Sequence, residues 1–383
     1  MRGTRRAAFL KILFVSDAWR PQINGVVRTL EATVAELERL GHEALVIGPD
    51  VARRFTFALP IYPDIKLEFF ARRRLERALD LFQPDGIHIA TEGPLGFAAR
   101  RMCLRRDLPF TTAYHTRFPE YVAARAPRAF GPWIRMPIYA ILRRFHAPAR
   151  SVLVATASIE RELQRRGFRR LARWSRGVDA DLFRLYGKTP PTFADMPRPI
   201  LLYVGRIAAE KNLPAFLDLT TPGAKVVIGD GPEHAGVKAA YPRAHFLGAM
   251  TGEALARHYA AADVFVFPSK TDTFGLVLLE ACAAGLRIAA MPAPGPSDIF
   301  ALADVADFAV LDDDLAICVA KALELPDRPE KPRAFALRFS WEACTRQFLE
   351  CASRATVRPV GRGNVWRRRL ARMFARSGGA STG

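Results

Sequence analysis

The sequence predicts an α/β protein with two doubly wound, Rossmann-like parallel-sheet domains that face a cleft. Three observations predict this fold. The chain has 383 residues, which is too long for one ordinary core and suits two domains of roughly 150–200 residues each. Short, uninterrupted apolar segments alternate with segments of helical periodicity, a pattern typical of parallel sheets with helices on both faces. This alternation starts at residue 11 with KILFVS and starts again at residue 199 with PILLYVG.

The N-terminal half begins with a predicted buried strand at residues 11–16, followed by a loop that contains Pro21 and Gly25. A segment of helical periodicity follows at 26–40. Gly41 ends this helix, since glycine readily adopts the left-handed conformation found at helix ends. The remaining predicted strands of this half lie at 44–47, 86–90, 110–113 and 152–155. These patterns assign residues 1–187 to the first domain.

The C-terminal half repeats this organisation. Its predicted strands lie at 199–205, 225–228, 245–247, 264–267 and 287–290. We assign residues 199–340 to the second domain and the proline-rich segment 188–198 to the linker. Residues 341–360 are predicted to form a helix that packs back toward the first domain, and residues 361–383 form a basic tail. Ligands of such sheets bind at the carboxyl ends of the strands, which here face the cleft.

The chain is strongly basic. Its 57 Lys and Arg residues against 38 Asp and Glu give a formal charge of +19 at pH 7, which predicts an anionic partner: nucleic acid, a lipid surface or a phosphorylated ligand. No apolar run reaches the roughly 18 residues of a membrane-spanning helix. The five cysteines show no C-x-x-C spacing, so we expect a reducing, cytoplasmic environment without disulfides or a zinc site. The acidic run at 312–314 precedes a helical pattern and is interpreted as helix capping, so no metal site is predicted.

The segment 268–285 (PSKTDTFGLVLLEACAAG) carries the pattern of an anion-binding loop. A strand ends in a short polar loop, and a helix is predicted to start near Phe274 and Gly275. Free amide groups and the dipole at such a helix start favour an anion, and Gly275 lets a phosphate approach the backbone closely. Glu280, more than one turn inside the helix, is placed to reach ribose hydroxyls, and Asp272 is placed near a sugar.

This segment resembles the acidic-x7-Glu signature of the retaining glycosyltransferases of family 4, which have the GT-B fold. The first acidic residue is usually Glu in that family; here it is Asp272, a departure that also occurs in the branch acting on lipids. The segment 202–212 (LYVGRIAAEKN) resembles the family segment that brings an Arg and a Lys to the donor diphosphate, and Arg206 and Lys211 are the matching positions. The segments 21–30 (PQINGVVRTL), 227–233 (VIGDGPE) and 245–248 (HFLG) resemble further donor-binding loops. The resemblance covers residues from about 11 to 355.

The resemblance implies a nucleotide-sugar co-substrate, UDP-sugar in preference to GDP-mannose, and no bound cofactor. It implies a donor site formed by Gly25, Arg206, Lys211, Gly229, Phe246, Leu247, Phe274, Gly275, Leu276 and Glu280. Negative charge builds on the nucleoside diphosphate as its bond to the sugar breaks, and cations already in place stabilise this charge. Arg donates two parallel hydrogen bonds to phosphate oxygens, while Lys acts as a point charge. Arg206 and Lys211 are therefore expected to act in catalysis together with Asp272 and His115.

The segment 114–121 (YHTRFPEY) follows a predicted strand and therefore faces the cleft as well. In the family the matching His lies beside the donor sugar, so His115 is expected to bond the sugar and steady its oxocarbenium-like charge. Glu120, Tyr121 and Arg117 are interpreted as acceptor-side residues. Arg117 often has an acidic counterpart in mannosyltransferase relatives, which leaves the identity of donor and acceptor open. The resemblance implies retention through a front-face transfer, in which the leaving phosphate accepts the proton of the acceptor.

The tail at 361–379 (GRGNVWRRRLARMFARSGG) combines an apolar stripe at 366, 370, 373 and 374 with arginines and no acidic residue. This pattern predicts an interfacial helix on anionic lipid. Nucleic acid would also suit the charge, but no base-recognition motif is present, so no nucleic-acid partner is predicted.

Together these patterns predict a peripheral enzyme on the cytoplasmic face of the inner membrane. It would transfer a hexose-type sugar, glucose or glucuronic acid, from a UDP-sugar to a lipid hydroxyl, with diacylglycerol as acceptor, in glycolipid synthesis. Two alternatives stay open: a GDP-mannose-dependent α-mannosyltransferase, and a non-catalytic GT-B protein that binds membrane or nucleic acid.

Overall fold

The computed structural model describes residues 9–50, 56–59, 62–124, 131–187, 190–302 and 304–357. Within these ranges, only the backbone is described at 56–59, 62–66, 121, 124, 131–132 and 191. Two parallel six-stranded sheets and one antiparallel hairpin form in this part of the chain. The predicted pair of doubly wound α/β domains is therefore confirmed.

The N-terminal sheet has the strand order β2-β1-β5-β6-β7-β8, and all its neighbours pair in parallel. Its strands are β1 Lys11–Val15, β2 Glu43–Ile47, β5 Gly86–Ile89, β6 Thr111–Tyr114, β7 Ser151–Val154 and β8 Leu171–Arg173. The hairpin consists of β3 Thr56–Leu59 and β4 Tyr62–Glu68. The helices are α1 Gly25–Arg39, α2 Arg72–Phe82, α3 Pro94–Arg106, α4 Phe118–Ala124, α5 Gly131–His146 and α6 Ala157–Arg165.

The C-terminal sheet has the order β11-β10-β9-β12-β13-β14 and is also parallel throughout. Its strands are β9 Ile200–Val204, β10 Ala224–Ile228, β11 His245–Phe246, β12 Val264–Phe267, β13 Arg287–Ala290 and β14 Ala309–Leu311. Its helices are α7 Leu213–Leu217, α8 His234–Ala240, α9 Gly252–Ala261, α10 Leu276–Ala283, α11 Pro294–Phe300, α12 Leu315–Glu324 and α13 Glu330–Ala336. In both sheets the order reverses beside the first strand, which opens a crevice at the carboxyl ends there.

Both faces of the central strands are covered, as continuous apolar segments require. In β9 every residue is buried. Leu202 packs into one core cluster, whereas Leu201 and Tyr203 pack into the cluster on the opposite face. Such strands are recognisable from sequence because neither face needs polar residues.

The last described helix, α14 Trp341–Ser353, returns to the N-terminal sheet. Phe348 on α14 stacks on Phe14 of β1 with ring centroids 5.2 Å apart. The backbone of this helix passes so close to Gly177 that a β-carbon there would lie 2.4 Å from the Trp341 amide nitrogen. α14 thus ties the end of the described chain to the core of the N-terminal domain.

Candidate active site

The loops that follow β9 and β12 are bound to each other at the crevice of the C-terminal sheet. The Thr271 hydroxyl donates to the Glu210 carbonyl at 3.1 Å, and the Asn212 side-chain amide donates to the Pro268 carbonyl at 3.2 Å. These bonds bring Lys211 and Asp272 into an ion pair with 2.5 Å between Nζ and Oδ1. The second carboxylate oxygen of Asp272 is buried and has no hydrogen-bond partner among the described residues.

Arg206 lies half-buried at the start of the same β9 loop. Its carbonyl accepts a hydrogen bond from the Tyr203 hydroxyl at 2.8 Å. The loop therefore presents two cations, Arg206 and Lys211, at the carboxyl end of a buried strand. An anion that enters the crevice meets both charges in a partly water-excluded place, where they act more strongly than in bulk water.

Helix α10 begins at Leu276, one to two residues after the predicted start. Gly275 precedes it with φ 89°, and no side chain caps the helix. On the opposite side of the cleft, α1 begins at Gly25, where an added β-carbon would lie 3.9 Å from Leu276 Cδ1. The first turns of α1 and α10, one from each domain, therefore face each other in near contact. Both helix dipoles point their positive ends at this place, which favours a phosphate.

Glu280 lies on α10 and is 5% exposed. One carboxylate oxygen pairs with Arg28 Nη1 of α1 at 2.7 Å, and the other accepts from the Tyr259 hydroxyl at 3.1 Å. Burial raises the pKa of Glu280 while Arg28 and Tyr259 oppose the rise. Each oxygen retains a further lone pair for a hydroxyl group of a ligand. Sequence reasoning singled out Glu280 but missed Arg28 and Tyr259.

The carboxyl ends of β10 and β11 and the loops after them bring together Gly229, Phe246 and Leu247. The Leu247 amide donates to the Val227 carbonyl at 3.0 Å, and the Gly229 amide donates to the Gly248 carbonyl at 2.8 Å. A β-carbon on Gly229, whose φ is +148°, would lie 1.9 Å from the Gly205 carbonyl oxygen. Only glycine fits this approach of two backbones, and the close approach shapes the wall beside the β9 loop.

Phe274 is buried beneath the β12 loop and is 7% exposed. Its carbonyl oxygen would lie 2.1 Å from a β-carbon on Gly295 at the start of α11. The Gly295 amide donates to the Asp272 carbonyl at 3.0 Å. Phe274 and α11 thus pack against the loop that contains Asp272 and hold it in place.

His115 follows β6 and is 8% exposed. Its carbonyl accepts from the Thr273 hydroxyl at 2.8 Å, so it touches the loop of Asp272 across the cleft. Its Nδ1 lies 3.1 Å from Nη2 of the buried Arg176. Burial and the charge of Arg176 lower the pKa of His115 well below its ordinary value. Arg176 carries no motif that marked it in the sequence.

The acceptor-side candidates Glu120 and Arg117 belong to a network that joins α4, α5 and α6. Arg117 pairs with Glu162 at 2.9 Å, and the Tyr139 hydroxyl lies 2.9 Å from an oxygen of both Glu120 and Glu162. Arg166 stacks over the Tyr139 ring at 3.7 Å. The side chain of Tyr121, the third candidate, lies outside the described part of the structure.

No group of three metal-binding side chains occurs among the described residues. In the acidic run at 312–314, Asp314 is the N-cap of α12 and accepts from the Ala316 amide at 2.8 Å. The capping interpretation of this run is thus confirmed. No helix in the described ranges is long and apolar enough to cross a membrane.

Comparison with known proteins decides the family. Residues 23–182 match the model of Glycosyltransferase Family 4, and residues 198–325 match that of Glycosyl transferases group 1. The chain is 31% identical to a GDP-mannose-dependent alpha-mannosyltransferase of Mycobacterium tuberculosis over 311 residues. These aligned residues cover 76% of this chain and 81% of that protein. The chain belongs to glycosyltransferase family 4. The resemblance inferred from the motifs is confirmed.

Two further relatives show comparable similarity. A sulfoquinovosyl transferase of Arabidopsis thaliana is 29% identical over 311 residues, which cover 75% of this chain and 60% of that protein. An alpha-monoglucosyldiacylglycerol synthase of Streptococcus pneumoniae is 28% identical over 318 residues, 73% of this chain and 71% of that protein.

Solved structures agree on the fold. Sucrose-phosphate synthase of Thermosynechococcus elongatus superimposes with a TM-score of 0.70 at 18% identity, over 95% of this chain and all of that chain. The Anabaena protein HepE in complex with UDP-glucose superimposes with a TM-score of 0.63 at 16% identity, over 89% of this chain and 98% of that chain. The fold of this glycosyltransferase is GT-B.

Proposed function

We propose that this glycosyltransferase moves a hexose-type sugar, glucose or glucuronic acid, from a UDP-sugar to the hydroxyl of a membrane lipid, with diacylglycerol as acceptor. One observation carries the donor side of the proposal. The starts of α1 and α10 meet at Gly25 and Leu276, beside the cations of the β9 loop, which suits a diphosphate. Glu280, one turn further along α10, then takes the ribose hydroxyls.

The chemistry follows from these charges. Arg206 and Lys211 stabilise the negative charge on the departing nucleoside diphosphate, so the proposed reaction needs no metal ion and no bound cofactor. Lys211 also holds Asp272 at 2.5 Å, which keeps this carboxylate beside the sugar. His115 bonds the sugar from the opposite domain. The proposed transfer retains the anomeric configuration, because the acceptor oxygen bonds the anomeric carbon on the same face from which the phosphate leaves, and the leaving phosphate accepts the acceptor's proton.

A lipid acceptor is supported by the names of two relatives, the sulfoquinovosyl transferase and the glucosyldiacylglycerol synthase. The exposed side of α5 supports it as well. Trp133, Met136 and Ile141 are 76%, 71% and 55% exposed there, and Arg143 and Arg144 follow on the same helix. Exposed apolar side chains next to arginines suit a peripheral contact with anionic lipid. The enzyme is proposed to act at the cytoplasmic face of the membrane.

A GDP-mannose donor is the second candidate, because the mycobacterial relative at 31% identity is a GDP-mannose-dependent alpha-mannosyltransferase. The two candidates share the diphosphate and ribose contacts and differ in the base and the sugar. They are therefore separated by assay and not by the residues named above.

The test is a transfer assay with the full-length protein, vesicles that contain diacylglycerol and an anionic lipid, and radiolabelled UDP-glucose, UDP-glucuronate or GDP-mannose. Label from a UDP-sugar is expected in the lipid phase, with the α-anomer retained in the product. Label from GDP-mannose alone would establish the second candidate.

A Glu280→Gln variant is assayed in parallel. Loss of a charge-assisted bond of about 1.5–3 kcal/mol is expected to raise the donor KM by roughly 10- to 100-fold. Glu253→Gln is the matched control, since Glu253 is exposed and pairs only with its neighbour Arg257 among the described ion pairs. If no donor is consumed and Glu280→Gln binds nucleotide as the wild type does, the protein is not the proposed enzyme.

A further inference from the structure

Arg176 is a buried cation at the floor of the cleft. It is 5% exposed, and its Nη1 donates to the carbonyls of Trp174 and Ser175 at 2.7 and 2.8 Å. Its guanidinium also lies over the Trp174 ring, 4.6 Å from the centroid. No carboxylate pairs with it among the described residues. A buried charge without a counter-ion destabilises a fold, and the bonds to two carbonyls offset only part of this.

A further N–H of Arg176, on Nη2, fixes the protonation of His115. A guanidinium has N–H donors and no acceptor, so the 3.1 Å contact from Nη2 requires that Nδ1 of His115 accept. A neutral imidazole whose Nδ1 accepts carries its proton on Nε2. An imidazolium would instead turn an N–H of His115 toward the N–H of Arg176. Burial of the ring and the nearby charge of Arg176 also favour the neutral form of His115.

Nε2 of His115 is buried and has no hydrogen-bond partner among the described residues. The ring stands where the two domains touch, because Thr273, next to Asp272, holds the His115 carbonyl. A buried N–H without a partner is costly, and an oxygen atom of a ligand bound in the cleft satisfies it.

We propose that Arg176 is a positioning residue that locks His115 as the Nε2–H tautomer, so that His115 donates a hydrogen bond to an oxygen of the donor sugar. The sugar contact rests on the proposed function; the tautomer does not. In this state His115 has no free lone pair, since Arg176 occupies Nδ1 and a proton occupies Nε2. It therefore serves as a hydrogen-bond donor and does not deprotonate the acceptor hydroxyl, which leaves that proton to the departing phosphate.

The tautomer is tested directly by nitrogen NMR on full-length protein with ¹⁵N-labelled histidine, without any substrate. The His115 signals are assigned by their absence in a His115→Gln variant. We expect a pyridine-type Nδ1 and a pyrrole-type Nε2 at every pH from about 5.5 to about 8. A pyrrole-type Nδ1, or an imidazolium that titrates near the ordinary value of about 6.5, would overturn the proposal whether or not the protein transfers sugar.

The positioning role is tested with Arg176→Met and Arg176→Lys. The methionine variant loses the donor to Nδ1, so kcat is expected to fall by about tenfold or more with the affinity for UDP unchanged. The lysine variant keeps the charge and N–H donors and is expected to recover part of kcat. Wild-type kcat in the methionine variant would refute a positioning role.

Arg333→Met is the matched control for lost packing. Arg333 donates to three backbone carbonyls, those of Ala180, Phe183 and Ala283, and touches no histidine among the described contacts. It is expected to lower the melting temperature while kcat stays at the wild-type value. An equal loss of kcat in the Arg176 and Arg333 variants would assign Arg176 a structural role only.

Discussion

Burial shifts the pKa values of the acidic and the basic side chain of this site in opposite directions. It raises the pKa of Glu280 and lowers the pKa of Arg176 to about 10. In both cases the low-polarity surroundings disfavour the charged form. The charge of Glu280 is compensated by Arg28 at 2.7 Å, whereas the described partners of Arg176 are backbone carbonyls, His115 and the ring of Trp174. An ion pair thus stabilises the charge of Glu280, whereas neutral groups stabilise the charge of Arg176.

Two buried histidines make the stability of the protein depend on pH. Burial lowers the pKa of His88 to about 3 and that of His115 well below 6.5. Below about pH 6.5 the unfolded chain protonates both rings and the folded chain does not. Their contribution to stability is therefore present above that pH and is lost as the pH falls. The slope approaches about 1.4 kcal/mol per pH unit for each histidine.

Urea unfolding at a series of pH values between about 7 and about 5 measures this slope. In His115→Gln the slope is expected to decrease, by up to about 1.4 kcal/mol per pH unit at the acid end of this range. An unchanged slope in the variant would mean that His115 titrates normally in the folded state.

At the scale of elements, α6 is capped by a residue of the other domain. Its own N-cap Thr156 makes no side-chain bond. Instead Asp298 of α11 accepts from the Ser158 amide at 2.6 Å and from the Ser158 hydroxyl at 2.7 Å. A cap that spans the cleft couples the stability of one helix to the contact between the two domains.

Replacing Asp298 by Ala is expected to lower the free energy of unfolding by about 1 kcal/mol and also to increase the radius of gyration in solution scattering. Asp314→Ala is the matched control, because Asp314 caps α12 within its own domain. It is expected to destabilise to a similar extent and leave the scattering unchanged. Identical scattering curves for the two variants would show that Asp298 does not hold the domains together.

The strands that could be predicted include the buried central ones and also the edge strands β2 and β11. The strands that became β1, β9 and β12 stand out as unbroken apolar segments bounded by glycine or proline. The short edge strands β8 and β14 and the β3–β4 hairpin were missed. β8 and β14 are only three residues long, and charged residues interrupt β4, so these segments do not stand out from their surroundings in the sequence.

For the whole molecule, the charge of +19 predicts binding to anionic surfaces that weakens with salt. The predicted tail helix at 361–383 lies outside the described residues. Its deletion is expected to weaken binding to anionic vesicles while turnover of a soluble acceptor persists. Co-sedimentation with vesicles at low and high salt measures the effect, and equal binding of the truncated and full-length proteins would contradict it.

A Trp133→Ser, Met136→Ser double variant extends the vesicle test to the exposed side of α5. It is expected to reduce vesicle binding at high salt, where apolar contacts persist and charge attraction is screened. Leu337→Ser is the control, since Leu337 is 55% exposed but belongs to the C-terminal domain. Equal losses of vesicle binding in the α5 double variant and in Leu337→Ser would show that α5 is not the membrane contact.

The sequence by itself determined the fold class and the family, and it predicted a donor site in the loops around Gly25, Arg206 and Glu280, because these features depend on short segments with local periodicity. Only the tertiary structure decided which side chains complete the site. Arg28 meets Glu280, and Arg176 meets His115, through bonds of 2.7 and 3.1 Å between residues far apart in the chain. Such pairs leave no periodic trace in sequence, since they exist only once the sheets, their loops and the two domains have packed together.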